Sequence, residues 1–328
     1  VRLGDRHPHA KRRRAPLPGR PPRRTYAARS DSNESKAMAT IAEYAAPTTL
    51  AEVLQALVER NATVLAGGTD TLPRWARGLA ATPAAVVSLH RVTDLTGVKR
   101  CGAEVRVGAC TRMSEIASDA IIAAAAPVLA YAADRVACAQ IRNRATIGGN
   151  LCNASPAADT AIPLILLDAV LDLACLGAGG MTVRQVPIAD FFRGPGATVV
   201  APGELLTHIR FKPLLPGVFA AWDKFGTRPA MEIAVASVGL ALWFEAKTIT
   251  QARGGYGSVA PVPLRGVRAE EQLVGQRFSA DTIDHCVAAA REEIAPITDL
   301  RASAGYRHEL VAVMLRRMLE RAQYAREG

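Results

Sequence analysis

Residues 145–159 read ATIGGNLCNASPAAD and place a glycine pair, Gly148-Gly149, between two hydrogen-bonding side chains, Thr146 and Asn150. Glycine has no Cβ, so a glycine pair lets a bulky anion such as a diphosphate approach backbone N–H groups closely. On its own, a Gly-Gly pair is more often a simple chain reversal than a phosphate site. The stretch therefore predicts either a tight turn or one half of a diphosphate-binding site.

A second glycine pair, Gly67-Gly68, lies earlier in the chain. It follows residues 63–66, a short apolar segment that is typical of a buried strand. Thr69 comes directly after the pair and adds a hydroxyl donor beside it. Two loops of this kind could hold one diphosphate from opposite sides.

Several other chemistries have no matching pattern in the sequence. Gly177 and Gly179 do not begin a G-x-G-x-x-G motif, because position 182 is threonine, so a Rossmann dinucleotide fold is disfavoured. The six cysteines show no C-x-x-C or similar ligand spacing and are interpreted as free thiols of a reducing cytoplasm. No Ser-His-Asp grouping or paired carboxylates stand out. We therefore expect neither catalytic residues nor a metal site in this chain.

The composition is that of a globular protein of two or three domains: 328 residues, of which 49% are hydrophobic and 21% charged. A membrane span needs about eighteen or more consecutive apolar residues. The most apolar segment, residues 116–133, is interrupted by Asp119. We therefore expect no membrane span, and the free thiols and the lack of a secretory signal predict a cytoplasmic location.

The basic charge is concentrated in residues 1–37. This segment holds eleven Lys or Arg and three Asp or Glu, which accounts for +8 of the net +10. It lacks the apolar residues needed for a core and the apolar region of a secretory signal, so it is expected to be a disordered tail. The first globular pattern begins at Met38, which we expect to be the natural start.

The remaining chain alternates between helical and extended patterns. Thr49 and Glu52 form a capping box ahead of the first apolar stripe. A mostly apolar run covers residues 162–173, and Pro213 and Pro216-Gly217 mark a domain boundary. We expect strands over residues 63–66, 84–89, 104–108, 204–212, 230–245 and 248–259, and helices over residues 49–60, 111–136, 280–294 and 303–324.

The sequence around each glycine pair resembles one of the two FAD motifs of the molybdenum hydroxylase flavoprotein family. The matching stretches are residues 64–72, VLAGGTDTL, and residues 145–159. Further matches are residues 191–196, FFRGPG, residues 201–206, APGELL, residues 293–301, EIAPITDLR, and Tyr306-Arg307. The resemblance covers about residues 41–325, and the second motif is very specific.

The resemblance implies an α+β fold with FAD as cofactor. An FAD-binding domain of the cresol methylhydroxylase type would cover residues 38–213, with two α+β subdomains that sandwich an extended FAD. A C-terminal α+β domain of the CO dehydrogenase flavoprotein type would cover residues 217–325. By the same resemblance, two loops contact the diphosphate, formed by Leu65, Ala66, Gly67, Gly68, Thr69, Asp70 and Thr71, and by Thr146, Ile147, Gly148, Gly149 and Asn150.

Three further side chains have alternative interpretations. Asp159 matches a flavin-binding aspartate of the family; a diphosphate would repel it, so it should accept hydrogen bonds from cofactor hydroxyls or backbone N–H groups, or else cap the helix from Ile162 onward. Lys224 matches a lysine that reaches the flavin and would raise its potential, or it is a solvated lysine on a hairpin. Trp222 could stack on the flavin, but a core position is favoured.

The function implied by the resemblance is electron transfer in a complex of the xanthine or CO dehydrogenase type. A small subunit with two [2Fe-2S] clusters would pass electrons from a large molybdopterin subunit to FAD. The electrons would then leave to NAD or another acceptor. The expected assembly is a dimer of heterotrimers.

Two other functions remain as alternatives. The chain could be a self-contained FAD-dependent oxidase of the cresol methylhydroxylase superfamily, which would turn over a substrate without partner subunits. It could also bind nucleic acid through its basic N-terminal segment. In that case, binding should disappear when residues 1–37 are removed.

Overall fold

The fold is described from a computed structural model, which covers residues 40–228 and 231–327. The predicted tail and the predicted start at Met38 lie outside the described residues. The strands are β1 (Glu43–Ala45), β2 (Thr63–Leu65), β3 (Ala85–Ser88), β4 (Val98–Cys101), β5 (Glu104–Gly108), β6 (Val170–Gly177), β7 (Gly180–Pro187), β8 (Phe192–Gly194), β9 (Ala197–Thr198), β10 (Leu205–Phe211), β11 (Phe219–Phe225), β12 (Ala236–Glu245), β13 (Thr248–Gly257) and β14 (Leu264–Arg265). The helices are α1 (Leu50–Arg60), α2 (Thr71–Ala76), α3 (Met113–Ser118), α4 (Ala120–Ala125), α5 (Pro127–Asp134), α6 (Ala139–Arg142), α7 (Ile147–Cys152), α8 (Ala161–Leu166), α9 (Val267–Glu271), α10 (Ala280–Glu293) and α11 (Ala304–Glu327).

The first layer is a parallel sheet of β1, β3 and β2, with β3 in the middle. Helix α1 begins as predicted: the Thr49 hydroxyl accepts a hydrogen bond from the Glu52 N–H, and the Glu52 carboxylate accepts one from the Thr49 N–H. Leu54 and Leu57 of α1 pack with the buried Val87 of β3. Strand β2 was expected to be buried, but it is half-exposed because it lies at the edge of this sheet.

The second layer is an antiparallel sheet with the order β4-β5-β10-β6-β7. The apolar run at residues 162–173 is divided between α8 and β6 by a turn in which Asp168 has a φ of 45°. Pro163 is tolerated because it lies in the first turn of α8, where its missing N–H breaks no helical hydrogen bond. Strand β7 was not predicted, because it is a mostly exposed strand at the sheet edge with little apolar patterning.

The third layer is an antiparallel sheet with the order β11-β12-β13-β14. Helices α10 and α11 cover one face and share a core with β12 and β13, while α8 contacts the same two strands as well. Strand β12 begins later than predicted, and β11 was not predicted at all. The sheet therefore joins the last third of the chain to the helix that follows the second glycine pair.

These layers confirm the predicted α+β fold class. The predicted boundary residues, Pro213 and Pro216-Gly217, lie in an irregular segment between β10 and β11. Within the part of the chain that the structure describes, no helix has the length and apolar character needed to cross a bilayer.

Candidate functional site

Both glycine loops line one cavity of about 720 Å³. We call the segment after β2, Gly67–Asp70, the first loop, and the segment at the start of α7, Thr146–Asn150, the second loop. Every residue that the sequence predicted in these loops lines the cavity except Leu65 and Ile147. Ile147 is fully buried in the core, and Leu65 belongs to β2.

The first loop leaves its backbone donors available. Among residues 40–228 and 231–327, no group accepts a hydrogen bond from the N–H of Gly67, Gly68, Thr69 or Asp70. Gly68 has a φ of +72°, a conformation that other residues rarely adopt. Consecutive N–H groups in such a bend form an anion-binding concavity. The first loop is therefore suited to hold a phosphate group.

The second loop differs from the expectation, because it is the N-terminus of a helix with its backbone donors already used. The Ile147 N–H donates to the Thr111 carbonyl at 3.1 Å, and the Gly148 N–H donates to the Ala109 carbonyl at 2.8 Å. The Gly149 N–H donates to the Thr146 hydroxyl, which caps α7, at 3.2 Å. This loop therefore offers surface and side chains rather than free N–H groups.

Asn150 is the polar side chain that the second loop presents. Its Oδ1 accepts a hydrogen bond of 2.6 Å from the Thr160 hydroxyl. That bond fixes the orientation of the amide, and the Asn150 NH₂ group has no hydrogen bond within the described residues. An amide held in this way can donate to a ligand oxygen in the cavity.

The glycines also let the two loops pack against the backbone. A Cβ on Gly67 would lie 2.1 Å from the Arg144 carbonyl oxygen, just before the second loop. A Cβ on Gly148 would lie 2.7 Å from both the carbonyl oxygen and the Cβ of Ala109. Contacts this short do not occur, so glycine is required at both positions for the packing alone.

Asp159 and Lys224, which were predicted as separate site residues, form an ion pair. The Lys224 Nζ lies 2.6 Å from Asp159 Oδ2, and both side chains are about a tenth exposed, at 11% and 10%. Lys224 also donates to the Arg135 carbonyl at 2.9 Å. Burial raises the pKa of Asp159 to about 6, while the nearby Lys224 charge acts in the opposite direction.

The ion pair decides between the alternatives for these residues. Asp159 does not cap α8, whose N-cap is Thr160 without a side-chain capping bond. Asp159 lines the cavity, whereas Lys224 lines a smaller neighbouring cavity of about 410 Å³. Lys224 is not a solvated lysine on a hairpin. Trp222 lies in the core and packs edge-on against Tyr131 with a centroid separation of 6.3 Å, as the favoured interpretation predicted.

Sequence reasoning missed three charged residues in the cavity lining, Arg74, Glu204 and Glu232. Glu204 belongs to the quoted stretch APGELL, which was noted only as a family match. Its carboxylate accepts two hydrogen bonds from Arg184, and this contact holds the pKa of Glu204 below its usual range. Arg74 lies just beyond the first loop, where a search for cations within six residues of the glycine pair would have found it.

Two family models match the chain. Residues 37–213 match the FAD binding domain in molybdopterin dehydrogenase, and residues 221–322 match the CO dehydrogenase flavoprotein C-terminal domain.

Curated relatives align over most of the chain. The glyceraldehyde dehydrogenase medium chain of Sulfolobus acidocaldarius is 33% identical over 77% of this chain and 88% of its own length. The carbon monoxide dehydrogenase medium chain of Afipia carboxidovorans is 32% identical, and the match covers 86% of this chain and 96% of that one. The xanthine dehydrogenase FAD-binding subunit of Escherichia coli O157:H7 is 30% identical, and the match covers 89% of this chain and 99% of that one.

Solved structures agree with the sequence relatives. The fold is similar to a chain of carbon monoxide dehydrogenase from Hydrogenophaga pseudoflava, with a TM-score of 0.81, 31% identity and coverage of 87% of this chain and 97% of that one. It is also similar to a chain of quinoline 2-oxidoreductase from Pseudomonas putida 86, with a TM-score of 0.80 and 27% identity. This match covers 87% of this chain and 98% of that one.

Proposed function

The chain belongs to the FAD-binding flavoprotein subunits of molybdenum hydroxylases of the xanthine and CO dehydrogenase type, and on this premise we propose that it carries electrons from a partner subunit through FAD to an acceptor. Its cofactor is FAD, and its homologues are oxidoreductases. The chain receives electrons from the [2Fe-2S] clusters of a small subunit, which are in turn reduced by a large molybdopterin subunit. NAD or another acceptor then takes them. The complex is a cytoplasmic dimer of heterotrimers.

The observation that carries this proposal is the row of unpaired N–H groups in the first loop, Gly67–Asp70, on the wall of the large cavity. A diphosphate carries about two negative charges and needs such donors in a site that no side chain blocks. Thr69 adds an unpaired hydroxyl to the same wall, since the described residues contain no hydrogen bond from it. The first loop would hold the diphosphate of FAD.

The second loop and Asp159 would hold the rest of the cofactor. Asn150 can donate its NH₂ group to a ligand oxygen, and Asp159 can accept hydrogen bonds from cofactor hydroxyls. Bound FAD would supply one-electron and two-electron chemistry in the same site. The residues of this chain bind and orient the cofactor and set the charge around it, and no acid or base from the chain is required.

Lys224 would act on the cofactor through Asp159. The 2.6 Å ion pair offsets the Lys224 charge, and Asp159 is the member of the pair that lines the large cavity. The effect of Lys224 on the flavin potential is therefore expected to depend on whether Asp159 is ionised.

The test is to purify the full chain and to measure its flavin content and its activity with and without partner subunits. We expect a yellow protein with one FAD per chain that turns over no substrate alone and accepts electrons once the iron-sulfur subunit is added. A colourless protein that does not bind added FAD would overturn the proposal. Substrate oxidation by the isolated chain would instead favour the self-contained oxidase.

A further inference from the structure

Arg74 lies on the wall of the large cavity, one helical turn after the first loop. Its backbone N–H donates to the Asp70 carbonyl at 3.2 Å, so α2 holds it in a defined position relative to the unpaired N–H groups of Gly67–Asp70. The Arg74 side chain is 48% exposed. Its contact with a carboxylate is a loose one, with 3.7 Å between its Nη1 and Asp70 Oδ2.

Most of the charged side chains that line the cavity are acidic, and Arg74 is basic. Within residues 40–228 and 231–327, the side chains that line the cavity include four carboxylates but one cation, which is Arg74. The four carboxylates belong to Asp70, Asp159, Glu204 and Glu232. A cation that faces a ligand with about two negative charges would offset the repulsion from these carboxylates.

Three of these carboxylates are already held by other groups. Asp159 lies 2.6 Å from Lys224, and Glu204 lies 2.6 Å from Arg184. Glu232 accepts hydrogen bonds from the backbone N–H groups of Thr227 and Arg228. Asp70 is the fourth, and its contact with Arg74 is an exposed pair without a hydrogen bond, which contributes little to stability. Arg74 can therefore leave Asp70 at small cost.

We propose that Arg74 leaves Asp70 and binds the diphosphate of FAD together with the N–H groups of the first loop. This inference rests on the proposed function, because it names the residue that neutralises the cofactor charge in that same cavity. The guanidinium presents several N–H donors in one plane and can bond two phosphate oxygens at once, which a single backbone N–H cannot do. The Asp70 side chain, which is 53% exposed, is then solvated by water.

The test compares FAD binding to the apo form of the full chain with two matched variants, Arg74→Met and Arg77→Met. Both arginines are exposed and lie within one turn of each other, but Arg77 does not line the cavity. We expect Arg74→Met to raise the dissociation constant of FAD by about tenfold or more, as for loss of a charge-assisted hydrogen bond. Arg77→Met should change it less than about twofold. Arg74→Lys should lie between wild type and Arg74→Met, because it keeps the charge and loses the planar fork.

Salt dependence provides a second readout that a purely structural role would not alter. The FAD affinity of the wild type should fall as ionic strength rises, and this dependence should be weaker in Arg74→Met, because one screened charge pair is missing. Equal affinities in Arg74→Met and Arg77→Met, or an unchanged salt dependence in Arg74→Met, would overturn the inference. Failure of the wild type to bind FAD would count against the proposed function instead.

Discussion

The two glycine loops share a Gly-Gly sequence but use it in different ways. In the first loop, the N–H groups of Gly67–Asp70 are unpaired within the described residues. In the second loop, the N–H groups of Ile147 and Gly148 donate to backbone carbonyls, and that of Gly149 donates to the capping Thr146 hydroxyl. The first loop therefore has backbone donors available for a ligand, whereas the backbone donors of the second loop are used within the protein.

The difference shows that a glycine can allow a close approach by another part of the protein backbone as well as by a ligand. The space beside Gly67 is filled by the Arg144 carbonyl, and the space beside Gly148 by Ala109. Both contacts bring the backbone of one segment close against another. A glycine pair next to a strand or helix thus indicates a close backbone approach, and the tertiary structure decides what makes that approach.

The largest expected effect is that of Gly67→Ala. The added Cβ would lie 2.1 Å from a backbone oxygen, which cannot rotate away as a side chain can. We expect the free energy of unfolding to fall by about 3 kcal/mol or more, because one of the two loops must move. Urea unfolding would measure this loss. Gly179→Ala is the control, since no heavy atom lies within 4 Å of its new Cβ, and it should change stability little.

A second variant, Gly149→Asp, tests whether the second loop faces the cofactor at all. A Cβ on Gly149 meets no heavy atom within 4 Å except the Thr146 hydroxyl at 2.9 Å, so the new carboxylate can extend into the cavity. Repulsion of the diphosphate should weaken FAD binding by about 100-fold. Gly149→Asn has the same size without the charge and should weaken binding much less. If Gly149→Asp purified with full flavin content, the second loop would not lie beside the diphosphate.

The ionisation of Asp159, nine residues after the second loop, can be tested by measuring stability as a function of pH. Because the folded-state pKa of Asp159, about 6, is above its ordinary value of 3.8, its contribution favours the folded state below about pH 4 and is lost as the pH rises through 6. We expect the unfolding free energy of the apo wild type to lose about 1–2 kcal/mol over this window, relative to the double variant Asp159→Asn/Lys224→Met. Parallel pH profiles for the two proteins would show that Asp159 does not titrate there.

The smallest expected effects separate the roles of the two loop threonines. Thr146→Val removes the cap of α7 and should lower the unfolding free energy by about 1 kcal/mol. Thr69→Val removes a hydroxyl that has no partner in the described chain, so it should leave stability unchanged and weaken FAD binding a few-fold. Thermal unfolding and FAD titration of both variants would measure this. The opposite outcome, with stability lost in Thr69→Val, would reverse the roles assigned to the loops.

Local sequence patterns predicted the helices that begin with a capping box or carry an apolar stripe. The capping box at Thr49 and Glu52 marked the start of α1, and the apolar stripe at Leu310, Val311 and Met314 marked α11. The strands that were not predicted are β1, β4, β6, β7, β8, β9, β11 and β14, and β7 and β11 illustrate the reason. Most of β7 is exposed, and β11 is recognisable only by its pairing with β12, which follows it in the chain.

The sequence by itself determined the fold class and the family and located the two glycine pairs, because these depend on residue order over short stretches. Only the tertiary structure decided which loop keeps free N–H groups, since that depends on acceptors such as the Ala109 and Thr111 carbonyls, far from the second loop in sequence. It also decided that Asp159 and Lys224, 65 residues apart, share one buried ion pair. Hydrogen-bond and charge partners are set by folding in three dimensions, and spacing along the chain does not encode them.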